Sequence, residues 1–195
     1  LLERDKEEFA WLESINNGKP ISESRNVDLP LSIMCLEYYA GLADKIEGTV
    51  IPVDGNYLNY TLEAPIGAVG AILPFNFPIL MSLWKISPAI AAGCTIVLKP
   101  SENTPLTLLK LAELIVEAGF PPGIINVVTG FGEVTGAALV RHPGISKIAF
   151  TGSTETGRLI VKMAAESNLK KVSLELGGKA PNIILNSADI DLAVK

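Results

Sequence analysis

The chain has 195 residues, 48% apolar and 19% charged, and its 16 basic against 21 acidic side chains give a formal net charge of −5. That balance excludes the usual nucleic-acid binder, which carries a basic surplus, and a disordered chain, which combines low hydrophobicity with high net charge. The length suits one domain, able to bury roughly 70% of its unfolded surface, yet the mean hydropathy of +0.36 is high for a chain wetted on all sides.

Two cysteines, Cys35 and Cys94, make neither a disulfide framework nor a metal-ligand spacing, and the single histidine, His142, leaves no His-rich centre. No metal site is expected, and a reducing compartment is the simpler reading. The opening LLERDKEEFAWLESINNGK is charged and helical and shows no targeting peptide. Because it starts at Leu1, removal of an upstream segment is an expectation, and cytoplasm and mitochondrial matrix stay open as alternatives.

In chain order, apolar Leu1, Leu2, Phe9, Trp11 and Leu12 among charges predict an amphipathic helix over 1–14, ending before Asn17-Gly18. A second helix fits Leu29 to Ala43, with Cys35 as a small core hydrophobe. Residues 49–63 hold an Asp54-Gly55 turn between strand-like runs, predicting a hairpin or extended arm. Residues 64–84 carry no charge over a length that could span a bilayer, but Pro65, Pro74, Pro78 and Asn76 would leave backbone groups unpaired in lipid. A buried strand, a loop and a helix start are expected there instead.

From residue 66 a strand, turn and helix recur. The strand runs are 66–73, 95–99, 125–128, 147–151 and 172–176, and helix-compatible segments lie at 78–92, 105–118, 133–141 and 154–167. Short apolar strands alternating with helices predict parallel βαβ units in a doubly wound α/β sheet. In such sheets ligands bind beyond the carboxyl ends of the strands.

Those ends carry the unusual residues. The first leads into Pro74-Phe75-Asn76-Phe77-Pro78, two prolines holding an amide that could donate to an oxyanion or simply form a turn. After the second comes Lys99-Pro100-Ser101-Glu102, able to reach a phosphate or accept from ribose hydroxyls, or to stand as a solvated charge pair. The third ends at Gly130-Phe131-Gly132-Glu133-Val134-Thr135-Gly136, a weak GxGxxxG signal for close backbone approach to a ligand. The fourth gives Phe150-Thr151-Gly152-Ser153-Thr154, where a hydroxyl at a helix start could receive a pyrophosphate or act as an ordinary cap. No lysine follows in the P-loop position. The fifth carries Glu175 before Leu176-Gly177-Gly178-Lys179; a carboxylate buried on such a strand must pair with Lys179 or be kept for proton transfer with a raised pKa.

Taken together, PFNFP, LKPSE, GFGEVTG, FTGSTETG and LELGGK, with NNGKP at 16–20, YYAGLADK at 38–45 and AGFPPGIINVVTG at 118–130, closely resemble the aldehyde dehydrogenase superfamily over essentially the whole chain. The resemblance implies a helical N-terminal region at 1–47, an oligomerisation-type strand arm at 48–63 and a Rossmann-like NAD-binding domain at 64–195. It implies oxidation of a small aldehyde to a carboxylic acid through a cysteine thiohemiacetal and thioester, with NAD taking the hydride, in a homo-oligomer with no nucleic-acid or membrane partner. By the same resemblance Asn76 stabilises the oxyanion and Glu175 is the general base that activates the deacylating water. The implied cofactor contacts are Leu73, Phe75, Asn76, Lys99, Ser101, Glu102, Gly132, Gly136, Phe150, Thr151, Gly152, Ser153, Leu176 and Gly177, with Met81 and Trp84 on the substrate tunnel or in the core.

Two departures follow. Phe75 stands where many members have tryptophan, and the nucleophilic cysteine, which the family places in a Gly-Gln-x-Cys context some tens of residues after ELGGK, is not among these 195 residues. Neither Cys35 nor Cys94 matches it. The expectation is therefore an internal piece of an NAD-dependent enzyme, inactive by itself and poorly soluble through apolar surface meant for a missing half. The alternative is a truncated pseudoenzyme acting as a nucleotide-binding or subunit-interaction module; a reductase with a Tyr-Lys pair is disfavoured because every tyrosine precedes the βα repeat.

Overall fold

The computed structural model describes residues 1–194. At its centre five parallel strands, β3 (Ala68–Ile72), β4 (Thr95–Lys99), β5 (Ile125–Val127), β6 (Lys147–Gly152) and β7 (Lys171–Leu176), lie in the spatial order β5-β4-β3-β6-β7. Order reverses between β3 and β6, whose register pairs Ile72 with Phe150, so a switch-point crevice opens beside the loops that follow these two strands. The α/β Rossmann-like fold read from the strand runs is the one found.

Successive side chains of a strand face opposite sides, and both sides of the central strands β3, β4 and β6 are covered, which is why those runs are largely apolar, while β7 alternates exposed and half-buried residues. On one side Val69, Ala71, Ile96 and Leu98 pack against α4 (Pro78–Ala91) and α5 (Leu106–Glu117), with Phe9 of α1 (Lys6–Asn17) and Leu29 of α3 (Leu29–Ala40) closing the outer layer. On the other, Ile72, Ile148 and Phe150 meet α6 (Ala137–Arg141) and α7 (Thr154–Ser167) through Leu139, Val140 and Ile160. Gly70 faces this second layer, where a Cβ would stand 2.7 Å from Ile148 Cδ1 and 3.0 Å from Leu139 Cγ, so a side chain there would force these neighbours to shift.

The segment tested for a membrane span is β3, a loop and the start of α4, and no helix among the described residues is long and apolar enough to cross a bilayer. The arm is a minimal antiparallel pair, β1 (Val50–Ile51) with β2 (Asn59–Tyr60). Boundaries moved in the helical region. Residues 2–5 form turns, and α1 continues to Asn17 because Gly18, at φ 86°, takes the left-handed cap that returns its N–H to the Ser14 carbonyl. Helix α3 stops at Ala40 rather than Ala43, and is preceded by α2 (Ile21–Glu23) and a π-helical turn, Ser24–Asp28, which no apolar periodicity signals. The segment expected as a helix from 133 opens with a π-helical turn, Gly132–Gly136, before α6. A short α8 (Ile190–Ala193), capped by Asp189, went unforeseen.

Candidate functional site

The crevice side of the sheet holds most of the residues singled out. Lys99, the last residue of β4, is buried; its Nζ donates to the Pro100 carbonyl at 2.8 Å and to Glu102 Oε2 at 3.0 Å. The pair is thus internal to the protein at its cationic end rather than solvated. Its own backbone N–H and the Lys99 ammonium hold the Glu102 carboxyl below the usual carboxylate range. Ser101 Oγ accepts from the Asn103 N–H at 3.3 Å and so shapes the same turn. Gly136 brings the third loop against this one, since a Cβ on it would lie 3.7 Å from Lys99 Cδ.

Gly132 faces open ground, with nothing within 4 Å of a Cβ placed there. The backbone demand instead falls on Gly130, at φ +138°, where a Cβ would meet Thr135 Oγ1 at 2.1 Å. Of the two glycines assigned to ligand approach, Gly136 packs at ordinary contact distance and Gly132 is open, so neither is demanded by packing within the chain.

At the end of β6, Phe150 is buried beneath Gly152, and Ser153 is the N-cap of α7: its Oγ accepts from the Thr156 N–H at 3.2 Å and donates to Thr156 Oγ1 at 2.9 Å. The capping reading of Ser153 is realised in the structure, while the remaining N–H groups of the turn still point out of the helix end. Thr151 Oγ1, at the end of the same strand, is one of several buried side-chain oxygens without a hydrogen-bond partner among the described residues. Leu73 is core, its N–H bound to the Lys99 carbonyl at 3.0 Å. Leu176 and Gly177 lie exposed at the outer end of β7.

Glu175 corrects one expectation. Strand β7 is the sheet edge, and the Glu175 side chain is exposed, so the burial from which its chemistry was argued is absent. Instead it lines a cavity of about 820 Å³ together with Lys85 and Thr151. The other walls come from Leu31, Met34, Cys35, Tyr38 and Tyr39 of α3 and from Met81 and Trp84 of α4. Met81 and Trp84 thus face the cavity. Burial pulls the Lys85 ammonium below its usual range, and the negative charge of Glu175 opposes that pull. Lys85 was missed from sequence, although it is the first charge after an uncharged stretch of twenty-one residues, 64–84. Burial also raises the Cys35 thiol, which suits a small core hydrophobe and not a nucleophile.

Asn76 sits apart from this cavity. With Phe75 and Phe77 it lines a smaller hollow of about 270 Å³ that Asn17, Lys19 and Glu23 complete. Its side chain is exposed on the Pro74–Pro78 loop. Among the described residues no group of three or more His, Cys, Asp or Glu is placed to hold a metal.

The model of the aldehyde dehydrogenase family matches residues 1–195. The chain belongs to the aldehyde dehydrogenase family. It is 56% identical over 195 residues to retinal dehydrogenase 2 of Gallus gallus and 54% identical to the mitochondrial aldehyde dehydrogenase of Homo sapiens, in each case covering 100% of this chain and 38% of the relative. Among solved structures, the NAD+ complex of the Bacillus cereus aldehyde dehydrogenase superposes with a TM-score of 0.94 at 52% identity, covering 99% of this chain and 39% of that one. PnpE of a Pseudomonas species, solved with nicotinamide adenine dinucleotide, gives 0.94 at 54% identity over the same 99% and 39%. This aldehyde dehydrogenase chain thus spans under two-fifths of the length of the curated relatives it matches.

Proposed function

We propose that this chain supplies the cofactor site, the oxyanion amide and the general base of an NAD-dependent aldehyde dehydrogenase that oxidises a small aldehyde to its carboxylic acid. The observation that carries the reading is the placement of polar groups at the carboxyl ends of the strands of a family fold, with the Lys99–Glu102 pair after β4 and the Ser153-capped start of α7 after β6. These residues fit a dinucleotide. Glu102 presents a carboxylate for ribose hydroxyls, which favours NAD over its 2′-phosphorylated analogue, and the α7 N-terminus presents N–H groups to a pyrophosphate. Lys99 and Ser101 shape the ribose end, Gly136 lets the backbone close on it, and Phe150, Gly152, Leu176 and Gly177 flank the nicotinamide end. When bound, NAD supplies the hydride acceptor.

The chain's own groups handle charge and protons. The Asn76 amide donates to the oxyanion that forms when a cysteine thiolate attacks the aldehyde carbonyl, and as a neutral donor it does so at any working pH. Glu175 takes a proton from the water that attacks the thioester, releasing carboxylate. Lys85, facing the same cavity, steadies the carboxylate before that step. The apolar walls Met81, Trp84 and Tyr38 seat the rest of the aldehyde and thin out water.

Exposed Val50, Tyr57, Leu58 and Leu62 on the arm support a role for this segment in contacts between subunits. Two free thiols support a reducing compartment, cytoplasmic in the first instance. The reading is tested by aldehyde-dependent NADH formation in a polypeptide carrying this chain together with the family's nucleophilic cysteine. Stoichiometric carboxylate and NADH are expected; NADH-independent aldehyde consumption, or none at all, would overturn it.

A further inference from the structure

The C-terminal turn of α1 touches the Asn76 loop from both sides. Before Asn76, the Asn17 Nδ2 donates to the Phe75 carbonyl. After it, the Lys19 ammonium stands 4.2 Å from the centroid of the Phe77 ring, and the buried Glu13 carboxylate accepts the Ile79 N–H at 3.2 Å, in the first turn of α4. Lys19 is itself held by an ion pair with the buried Asp28, and the Ser14 hydroxyl donates to the Lys19 carbonyl at 2.6 Å. The neighbouring Asn16 turns the other way. Its Oδ1 accepts the Leu106 N–H at 2.8 Å and its Nδ2 donates to the Asn103 carbonyl at 3.4 Å, at the loop that follows Lys99 and Glu102.

We infer that Asn17, with Glu13 and Lys19, is a positioning residue that fixes the Asn76 amide for the oxyanion, while Asn16 aligns the neighbouring cofactor loop. The inference rests on the oxyanion role proposed above for Asn76. A loop of five residues bounded by two prolines has few remaining freedoms. The carbonyl before Asn76, the ring after it and the helix N–H beyond are the handles by which those freedoms can be removed. An oxyanion donor works only within a few tenths of an ångström of its ideal place, and small misplacements slow such steps by orders of magnitude. The three contacts come from seven consecutive residues, Glu13 and Asn17 in the end of α1 and Lys19 just past its Gly18 cap, so they move together. Each is a polar or cation–ring contact that costs burial or ordering to maintain.

The test uses the polypeptide carrying this chain and the family's cysteine, with four variants: Asn17→Leu, Asn17→Asp, Asn16→Ala and Asn76→Ala. Both Asn17 variants lose the donor at nearly constant size, and the second serves if the first does not fold. The expected result is a single-turnover NADH burst slowed about tenfold or more in the Asn17 variants, with NAD affinity within twofold of the parent. Asn16→Ala should show the reverse split, weaker NAD and a burst rate near the parent's. An unchanged burst in Asn17→Leu alongside a slowed burst in Asn76→Ala overturns the inference and leaves the oxyanion role standing. Equal loss of burst and of NAD affinity in Asn17→Leu also overturns it, since that marks general damage. An unchanged burst in Asn76→Ala removes the oxyanion role, and the inference with it.

Discussion

Lys99 Nζ stands 3.0 Å from Glu102 Oε2, and the pair is lopsided: the lysine side chain is 2% exposed and the glutamate 40%. The cation is sealed inside the protein while the carboxylate side chain is partly open to solvent. Removing the glutamate's charge therefore strands a buried ammonium and, on the proposed cofactor role, also removes a ribose acceptor. For Glu102→Gln, NAD affinity should fall about tenfold, with a smaller change for the 2′-phosphorylated analogue, as read by titration of both nucleotides. Unchanged NAD affinity would remove Glu102 from the site.

Ser153 separates two roles that its position combines. As a cap whose Oγ meets the Thr156 N–H, its loss in Ser153→Ala should cost about 1 kcal/mol of stability without ligand. As a pyrophosphate contact, the same change should also raise the NAD dissociation constant about five- to tenfold. Denaturant unfolding and NAD titration on one preparation distinguish them: a stability loss with unchanged affinity would leave only the cap.

Glu13 predicts a pH dependence. It is buried between α1, α4 and α5, its Oε2 lacks a partner, and burial raises it from 4.5 to about 7. Between those values the folded chain binds a proton that the unfolded chain has released. Stability from this group is therefore full below about 4.5, declines as pH rises through about 7, and is level above. The total is about 3 kcal/mol. Glu13→Gln, which keeps the shape and adds a permanent donor, should flatten that slope in denaturant midpoints measured from acid to neutral pH. A parallel slope in the variant would contradict the assignment.

The strand runs were legible because the central strands are covered on both faces and so are largely apolar, whereas the spatial order β5-β4-β3-β6-β7 came only with the structure. Lys99, Glu102, Ser153 and Thr151 were legible because they interrupt those runs at their carboxyl ends. Glu175 was misjudged: VSLEL reads as a buried strand, yet among the described residues β7 pairs only with β6. The hold of α1 on the Asn76 loop was not legible at all. Asn17 and Phe75 are 58 residues apart, and NNGKP reads locally as a turn; only the packing of α1 beside α4 gives its amides something to hold. Lys85 left a faint signal as an isolated charge on an apolar helix, whose meaning depends on Glu175 arriving from β7.

The central claim is a division of labour, with Asn76 acting as the acyl-enzyme forms and Glu175 as it is hydrolysed. Rapid-mixing measurement of NADH in Asn76→Ala and Glu175→Gln, in the polypeptide that also carries the cysteine, tests it most directly. Asn76→Ala should lose the burst itself, by about 10²-fold or more. Glu175→Gln should keep a burst of one NADH per site and lose the steady state that follows, by about 10²- to 10⁴-fold. Loss of the same phase in both variants, or a full steady state in Glu175→Gln, would contradict the account.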